Sequence, residues 1–193
     1  MESFEIVDGK VKILISAPHV FPHRRPDSEV LKKSEEYTDY IARNICSEAN
    51  CLGIVDNGLQ KEDPNYYLEI RNDFKSKIRQ IVKQEKIKYV LDIHGLKDNR
   101  PYDFAIYCKK SYKKSKELAY LVADALNNGV LKECLFQIKY FNDDNQETIS
   151  EFCADKLKVP AVQIKIARYV REDEKLRRTV IENLGKWIVD LRS

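Results

Sequence analysis

The chain has 193 residues, of which 43% are hydrophobic and 34% charged, with only six glycines and six prolines. That composition suits one folded domain with a real core, residues 1–193, and excludes a disordered or fibrous chain. The net charge is only +3, and Lys and Arg alternate with Asp and Glu along most of the chain. This reads as a solvated surface, not the concentrated basic face of a nucleic-acid-binding protein.

Met1-Glu2-Ser3-Phe4-Glu5 lacks the basic and apolar segments of a secretory signal. No apolar run approaches the ~20 residues of a membrane span. The five cysteines (Cys46, Cys51, Cys108, Cys134, Cys153) are odd in number and form no Cys-x-x-Cys pair. They argue against a disulfide framework or a cysteine zinc site, and for reduced, mostly buried thiols in a cytoplasmic protein.

Val11 to Ser16 is a β-branched run ending at Ala17-Pro18, and predicts a buried strand. Phe21 to Leu31, with two prolines and several charges, is a loop. From about Ser34 to Glu48, Tyr37, Tyr40, Ile41, Ile45 and Cys46 recur at helical spacing, with Ser34 as N-cap and Glu35 and Glu36 in the first turn. Leu52 to Val55 is a strand ending in the turn Asp56-Asn57-Gly58. Asp63-Pro64-Asn65 opens a second helix, from about Tyr66 to Gln84, with a stripe at Tyr67, Ile70, Phe74, Ile78, Ile81 and Val82. Strands follow at Tyr89–Ile93 and Phe104–Tyr107, then a helix from Ser115 to Asn127 and a strand from Gln137 to Phe141. Thr148–Lys156 is a helix, Val159–Ile166 the last strand and Glu174–Leu191 the closing helix. Apolar strands alternating with amphipathic helices predict an α/β fold with a mainly parallel sheet.

Two of the three histidines, His19 and His94, directly follow strand-like runs. Strand ends are where an α/β sheet presents its chemistry. With one of Glu35 or Glu36 they would form a His/Glu/His set, and zinc in a catalytic site takes three such ligands and leaves one position open. Asp92 shares a strand face with His94 by the period-2 rule and would hold the far nitrogen of a ligand histidine. The bland alternatives are packed or surface histidines and simple charge at a helix start. His23, in a Pro/Arg loop, reads as solvent-exposed.

Ser16-Ala17-Pro18-His19, Glu35-x-x-Thr38, Leu91-Asp92-Ile93-His94-Gly95 and Val162-Gln163-Ile164-Lys165-Ile166-Ala167-Arg168 occur in that order. Together they resemble the N-formylglutamate amidohydrolase family. The resemblance implies a zinc carboxypeptidase-like, three-layer α/β fold with a central mostly parallel mixed sheet flanked by helices. It implies zinc held by His19, Glu35 and His94, with Glu35 preferred because it matches Glu-x-x-Thr. It also implies hydrolysis of a small acidic N-acyl amino acid or a short peptide-like amide. Arg168 matches the motif arginine, which would grip the substrate carboxylate in a two-point fork. Arg100, Arg171 and Arg71 are further cations with a claim on that role, Arg71 reading better as a solvated helix face. Asn65 either binds substrate or caps the helix.

The family motif reads Gln-x-Glu, with the glutamate as general base, where this chain has Lys165; Ala167 stands where the family has asparagine. Lysine acts as a base near neutrality only if burial or positive neighbours lower its pKa. Either Glu36, Asp103 or Glu151 is the base and Lys165 lends charge to an oxyanion, or the fold persists as a zinc- or anion-binding protein without turnover.

Overall fold

The computed structural model describes every residue except 1, 27, 29, 60, 61, 143, 144, 192 and 193. Seven strands form one sheet in the order β1-β3-β2-β4-β7-β5-β6. They are β1 (Phe4–Val7), β2 (Val11–Ala17), β3 (Cys51–Asp56), β4 (Tyr89–Gly95), β5 (Phe104–Cys108), β6 (Phe136–Tyr140) and β7 (Ala161–Ile166). β3, β2, β4 and β7 run parallel; β1 joins β3 antiparallel, and β5 joins β7 antiparallel while pairing β6 in parallel. The helices are α1 (Thr38–Ala49), α2 (Asp73–Glu85), α3 (Lys113–Leu126), α4 (Ile149–Phe152), α5 (Arg168–Glu172) and α6 (Glu174–Asp190).

The sheet is mixed and mostly parallel, with helices on both faces, as the motifs implied. Strands covered on both sides must be apolar throughout, and β3 is buried along its whole length. Successive side chains point to opposite faces. Ile13, Ile15, Leu91, Ile93, Val162 and Ile164 meet α1, α3 and α6 in the larger core. Leu14, Ile54, Val90 and Ala161 meet α2 and α4 in a second core. By the same alternation Ser16, Asp92, His94, Gln163 and Lys165 lie on the α2/α4 face, and there the apolar residues give way to polar ones toward the carboxyl ends of β2, β4 and β7.

Two helix starts differ from expectation. The first helix begins at Thr38, not Ser34, because Tyr37 adopts a left-handed conformation at φ 65° and interrupts it. Glu35 and Glu36 therefore belong to a turn ahead of the helix. Residues 66–72 are not helical in the expected register: Asn72 caps α2 by accepting from the Lys75 amide at 2.9 Å. A short 3-10 turn, Glu69–Arg71, precedes it, with Ile70 exposed instead of packed. The edge strand β1 had no expectation attached. The helix expected over Thr148–Lys156 is α4 continued by a π-turn (Cys153–Leu157), opened by a Thr148/Glu151 capping box. Among the described residues no helix is long and apolar enough to cross a membrane. All five cysteines are free thiols, four of them buried.

Candidate metal centre

His19 follows β2, His94 lies at the end of β4, and Glu35 sits on the turn before α1. Their ligand atoms all lie within 4.8 Å of one another. His94 Nδ1 stands 3.1 Å from Glu35 Oε2, and His19 Nδ1 stands 3.5 Å from Glu35 Oε1. The two histidine rings meet edge to face, with centroids 4.7 Å apart.

The opposite nitrogens are held by carboxylates. His94 Nε2 is 2.8 Å from Asp92 Oδ2, and His19 Nε2 is 2.7 Å from Asp63 Oδ1. A carboxylate ion only accepts, so each Nε2 carries a proton, and it is Nδ1, on the Glu35 side, that can give up its proton and offer a lone pair to a metal. His19 Nδ1 is buried and has no hydrogen-bond partner. A buried polar atom without a partner is costly. Here it faces a carboxylate and a second imidazole nitrogen, which is a donor set that zinc accepts. The residues thus fit a divalent metal.

Electrostatics point the same way. Glu35, Asp63 and Asp92 gather three carboxylates around two imidazoles. Burial opposes a charge on His19, but Asp63 and Glu35 outweigh it and hold its pKa up at about 10. His94 is raised against burial by Asp92 and Glu35. Burial likewise opposes the charge on Glu35, yet His94 and His19 keep its carboxyl well below the usual range. The pocket favours positive charge between these groups.

Glu35 is fastened from several sides. Its amide donates to His19 O at 2.9 Å, and its carbonyl accepts from the Thr38 hydroxyl at 2.6 Å. The Gly95 amide donates to Glu35 Oε2 at 2.9 Å. The Glu-x-x-Thr spacing thus has a local reason: the threonine closes the turn that presents the glutamate. Asp92 also accepts from the Ser16 hydroxyl at 2.6 Å and stands 3.5 Å from Gln163 Nε2.

The cluster opens into a cavity of about 320 Å³ whose walls include Arg25, Lys97, Arg100, Lys165, Asn65, Tyr66 and Tyr107. Lys165 lies opposite His94 in the β4/β7 register. Its ammonium sits 5.2 Å from the Tyr107 ring centroid, and burial lowers its pKa. Asn65 is buried and accepts from the Ile149 amide at 3.1 Å, so it pins the start of α4 as well as lining the cavity.

Other expected residues lie elsewhere. The Glu36 carboxylate is exposed and 3.7 Å from Arg168 Nη2, in an adjoining cavity of about 650 Å³ that shares Arg25, Glu35 and Lys97 with the first. Arg168 is also exposed and pairs with Glu172 at 2.6 Å. Asp103, just before β5, accepts from the Leu135 amide at 2.8 Å and lines a third cavity. Glu151 closes its capping box and is 3.5 Å from Lys109 Nζ. Arg171 is buried and bonds to backbone carbonyls. Arg71 is exposed.

His23 corrects one expectation. It is 2% exposed, stacked on His19 with centroids 4.0 Å apart. Burial and the neighbouring His19 push its pKa down to about 4. Asp63 and Arg25 were not anticipated in these roles. Asp63 also accepts from Arg25 Nε at 2.9 Å. In the sequence Asp-Pro-Asn is an ordinary helix-opening signal, and nothing local marks Asp63 as a partner for His19.

No family model matches the chain, and neither does any curated protein. Solved structures do match. An N-acetylmuramoyl-L-alanine amidase of Nostoc punctiforme superposes with a TM-score of 0.57 at 12% identity, covering 96% of this chain and 99% of that one. A gene product of Agrobacterium tumefaciens gives 0.66 at 11% identity, covering 100% and 97%. The succinylglutamate desuccinylase of Chromobacterium violaceum gives 0.60 at 11% identity, covering 96% of this chain and 65% of that one. The likeness is one of fold alone, the three-layer α/β architecture that this chain shares with these proteins, and it does not single out N-formylglutamate amidohydrolases.

Proposed function

We propose that the protein is a zinc-dependent amidohydrolase that cleaves a small acidic N-acyl amino acid, such as N-formylglutamate, or a short peptide-like amide. One observation carries this reading: two imidazole Nδ1 atoms and the Glu35 carboxylate converge while Asp63 and Asp92 hold both remote nitrogens. His19, Glu35 and His94 would hold the metal. Zinc in such a set supplies Lewis acidity, polarising an amide carbonyl and making water acidic enough to attack.

The chain's own residues supply the rest. Asp63 and Asp92 fix the tautomer and orientation of the ligand rings. Arg25, Lys97 and Arg100 surround the cavity with positive charge and draw in a substrate carboxylate. The Lys165 ammonium, beside His94, stabilises negative charge growing on the carbonyl oxygen. Arg168, in the adjoining cavity, is placed for a carboxylate at the far end of a longer substrate.

A second reading has a specific observation in its favour. Among the described residues lining the smaller cavity, Glu35 is the only carboxylate. Glu36, Asp103 and Glu151 stand outside that lining, so none of the carboxylates expected to act as base is among the described residues that form it. This favours a protein that binds zinc and an anion without turnover.

Metal analysis followed by an assay of N-formyl-, N-acetyl- and N-succinylglutamate separates the two. Stoichiometric zinc with chelator-sensitive release of glutamate supports the hydrolase. Zinc-loaded protein that binds these acids and cleaves none supports the binder. Equal, sub-stoichiometric zinc in wild type, His19→Ala and His94→Ala removes both.

A further inference from the structure

We propose that Arg171 is a positioning residue that clamps the Glu35 turn onto the ends of β4 and β7, and that it does not grip the substrate. This rests on the metal-site reading above. Arg171 is only 4% exposed. Its Nε donates to Ile166 O, the last carbonyl of β7, at 3.1 Å. Its Nη1 donates to Glu36 O, in the turn that carries Glu35. One planar guanidinium therefore ties that turn to the strand beside His94.

The third contact is steric. A Cβ placed on Gly95 would stand 3.0 Å from Arg171 Nη2 and 3.2 Å from Glu35 Cβ. The glycine after His94 thus leaves room for both the guanidinium and the glutamate. It is also the residue whose amide donates to Glu35 Oε2. Glycine, arginine and glutamate form one packed unit, and a change in any of them moves the carboxylate.

Arg171 is itself anchored. The Arg177 Nη1 donates to Arg171 O at 2.7 Å. The Arg177 guanidinium lies 4.5 Å from the Tyr37 ring centroid, stacked on the residue whose left-handed turn separates Glu35 from α1. α6 therefore braces both the arginine and the turn. Two of its five N–H donors are spent on carbonyls inside the protein, which fixes the guanidinium in place beside the larger cavity that it also lines. A lysine could not replace it, because a single ammonium does not span two fixed carbonyls with the same geometry.

The test is zinc affinity, measured by chelator competition, for wild type, Arg171→Gln, Arg171→Lys and Gly95→Ala, with Arg178→Gln as a surface control. Circular dichroism and thermal melting report whether each variant is folded. Arg171→Gln should weaken zinc binding about 10–100-fold, as loss of an outer-shell partner does. Arg171→Lys should recover only part of that loss, Gly95→Ala should weaken zinc by crowding the same unit, and Arg178→Gln should match wild type. If Arg171→Gln does not fold, the milder Arg171→Lys and Gly95→Ala decide the matter by the same measurement. Folded Arg171 variants with wild-type zinc affinity and a raised KM for an acidic amide would overturn the positioning role and make the arginine a substrate ligand. Wild type that takes no zinc would instead remove the metal-site reading itself.

Discussion

His19 and Asp63 lie 44 residues apart in the chain and 2.7 Å apart in the fold, Nε2 against Oδ1. Asp63 is fully buried and also takes Arg25, so its carboxylate joins the loop after β2 to the loop after β3. Asp63→Asn should weaken zinc binding about 10–100-fold, because the neutral amide orients the His19 ring less firmly and no longer supports its basicity. Chelator competition on the purified variant checks this. Unchanged affinity would mean that Asp63 serves only to order the loop.

Zinc uptake should release protons. The folded pKa of His19, about 10, lies above its ordinary 6.5. A raised histidine contributes stability that is fully present below the unfolded value and is lost as pH rises through the folded one. Metal-free protein should therefore lose this contribution between about pH 6.5 and 10. Glu35 and Asp63 have the opposite sign: both are held below their ordinary values, and their contribution is lost in acid. Zinc needs the unprotonated ring, so its affinity should climb with pH across neutrality. Calorimetric zinc titrations in buffers of different ionisation heat should give different observed heats; identical heats would contradict the assignment.

Lys165→Met should separate the chemistry from the metal. If the ammonium stabilises a developing oxyanion, kcat should fall about 10²–10³-fold with zinc content unchanged. Steady-state kinetics on whichever N-acyl acid is cleaved provides the measurement. Loss of zinc along with activity would assign Lys165 to the integrity of the site instead.

Gly9→Ala should destabilise the fold without touching the site. A Cβ there would meet the Cys51 carbonyl carbon and oxygen at 2.3 Å. Both are backbone atoms at the start of β3, so the chain must shift. Overpacking of this kind costs about 1–3 kcal/mol. Urea unfolding of the metal-free variant should show the drop in midpoint.

Local pattern carried the sheet and its covering helices. β2, β4 and β7 are apolar runs, and α3 and α6 have clear stripes, so burial on both faces could be read residue by residue. The first turn before α1 could not. Ser34, Glu35 and Glu36 form a good helix start by local rules, but Arg171 and Thr38 bind the carbonyls of Glu36 and Glu35 and hold the turn open. Tyr67 and Ile70 failed for a similar reason: their spacing is helical, yet Asp63 is committed to His19 and Arg25, and the chain does not turn into helix until the Asn72 cap.

What the sequence determined by itself was the alternation of strands and helices and the ordered motifs that single out His19, Glu35 and His94. Both follow from short-range physics, the side-chain period of a strand or helix and the ligand chemistry of particular residue types. Tertiary structure alone decided which nitrogen of each histidine is free, and that Asp63 joins Asp92 behind the rings. It also brought Lys165 beside His94, left Glu36, Asp103 and Glu151 away from them, and spent Arg171 on backbone carbonyls. Those choices depend on β4 pairing with β7 and on loops packing across the sheet ends, contacts between segments whose local sequences carry no mark of one another.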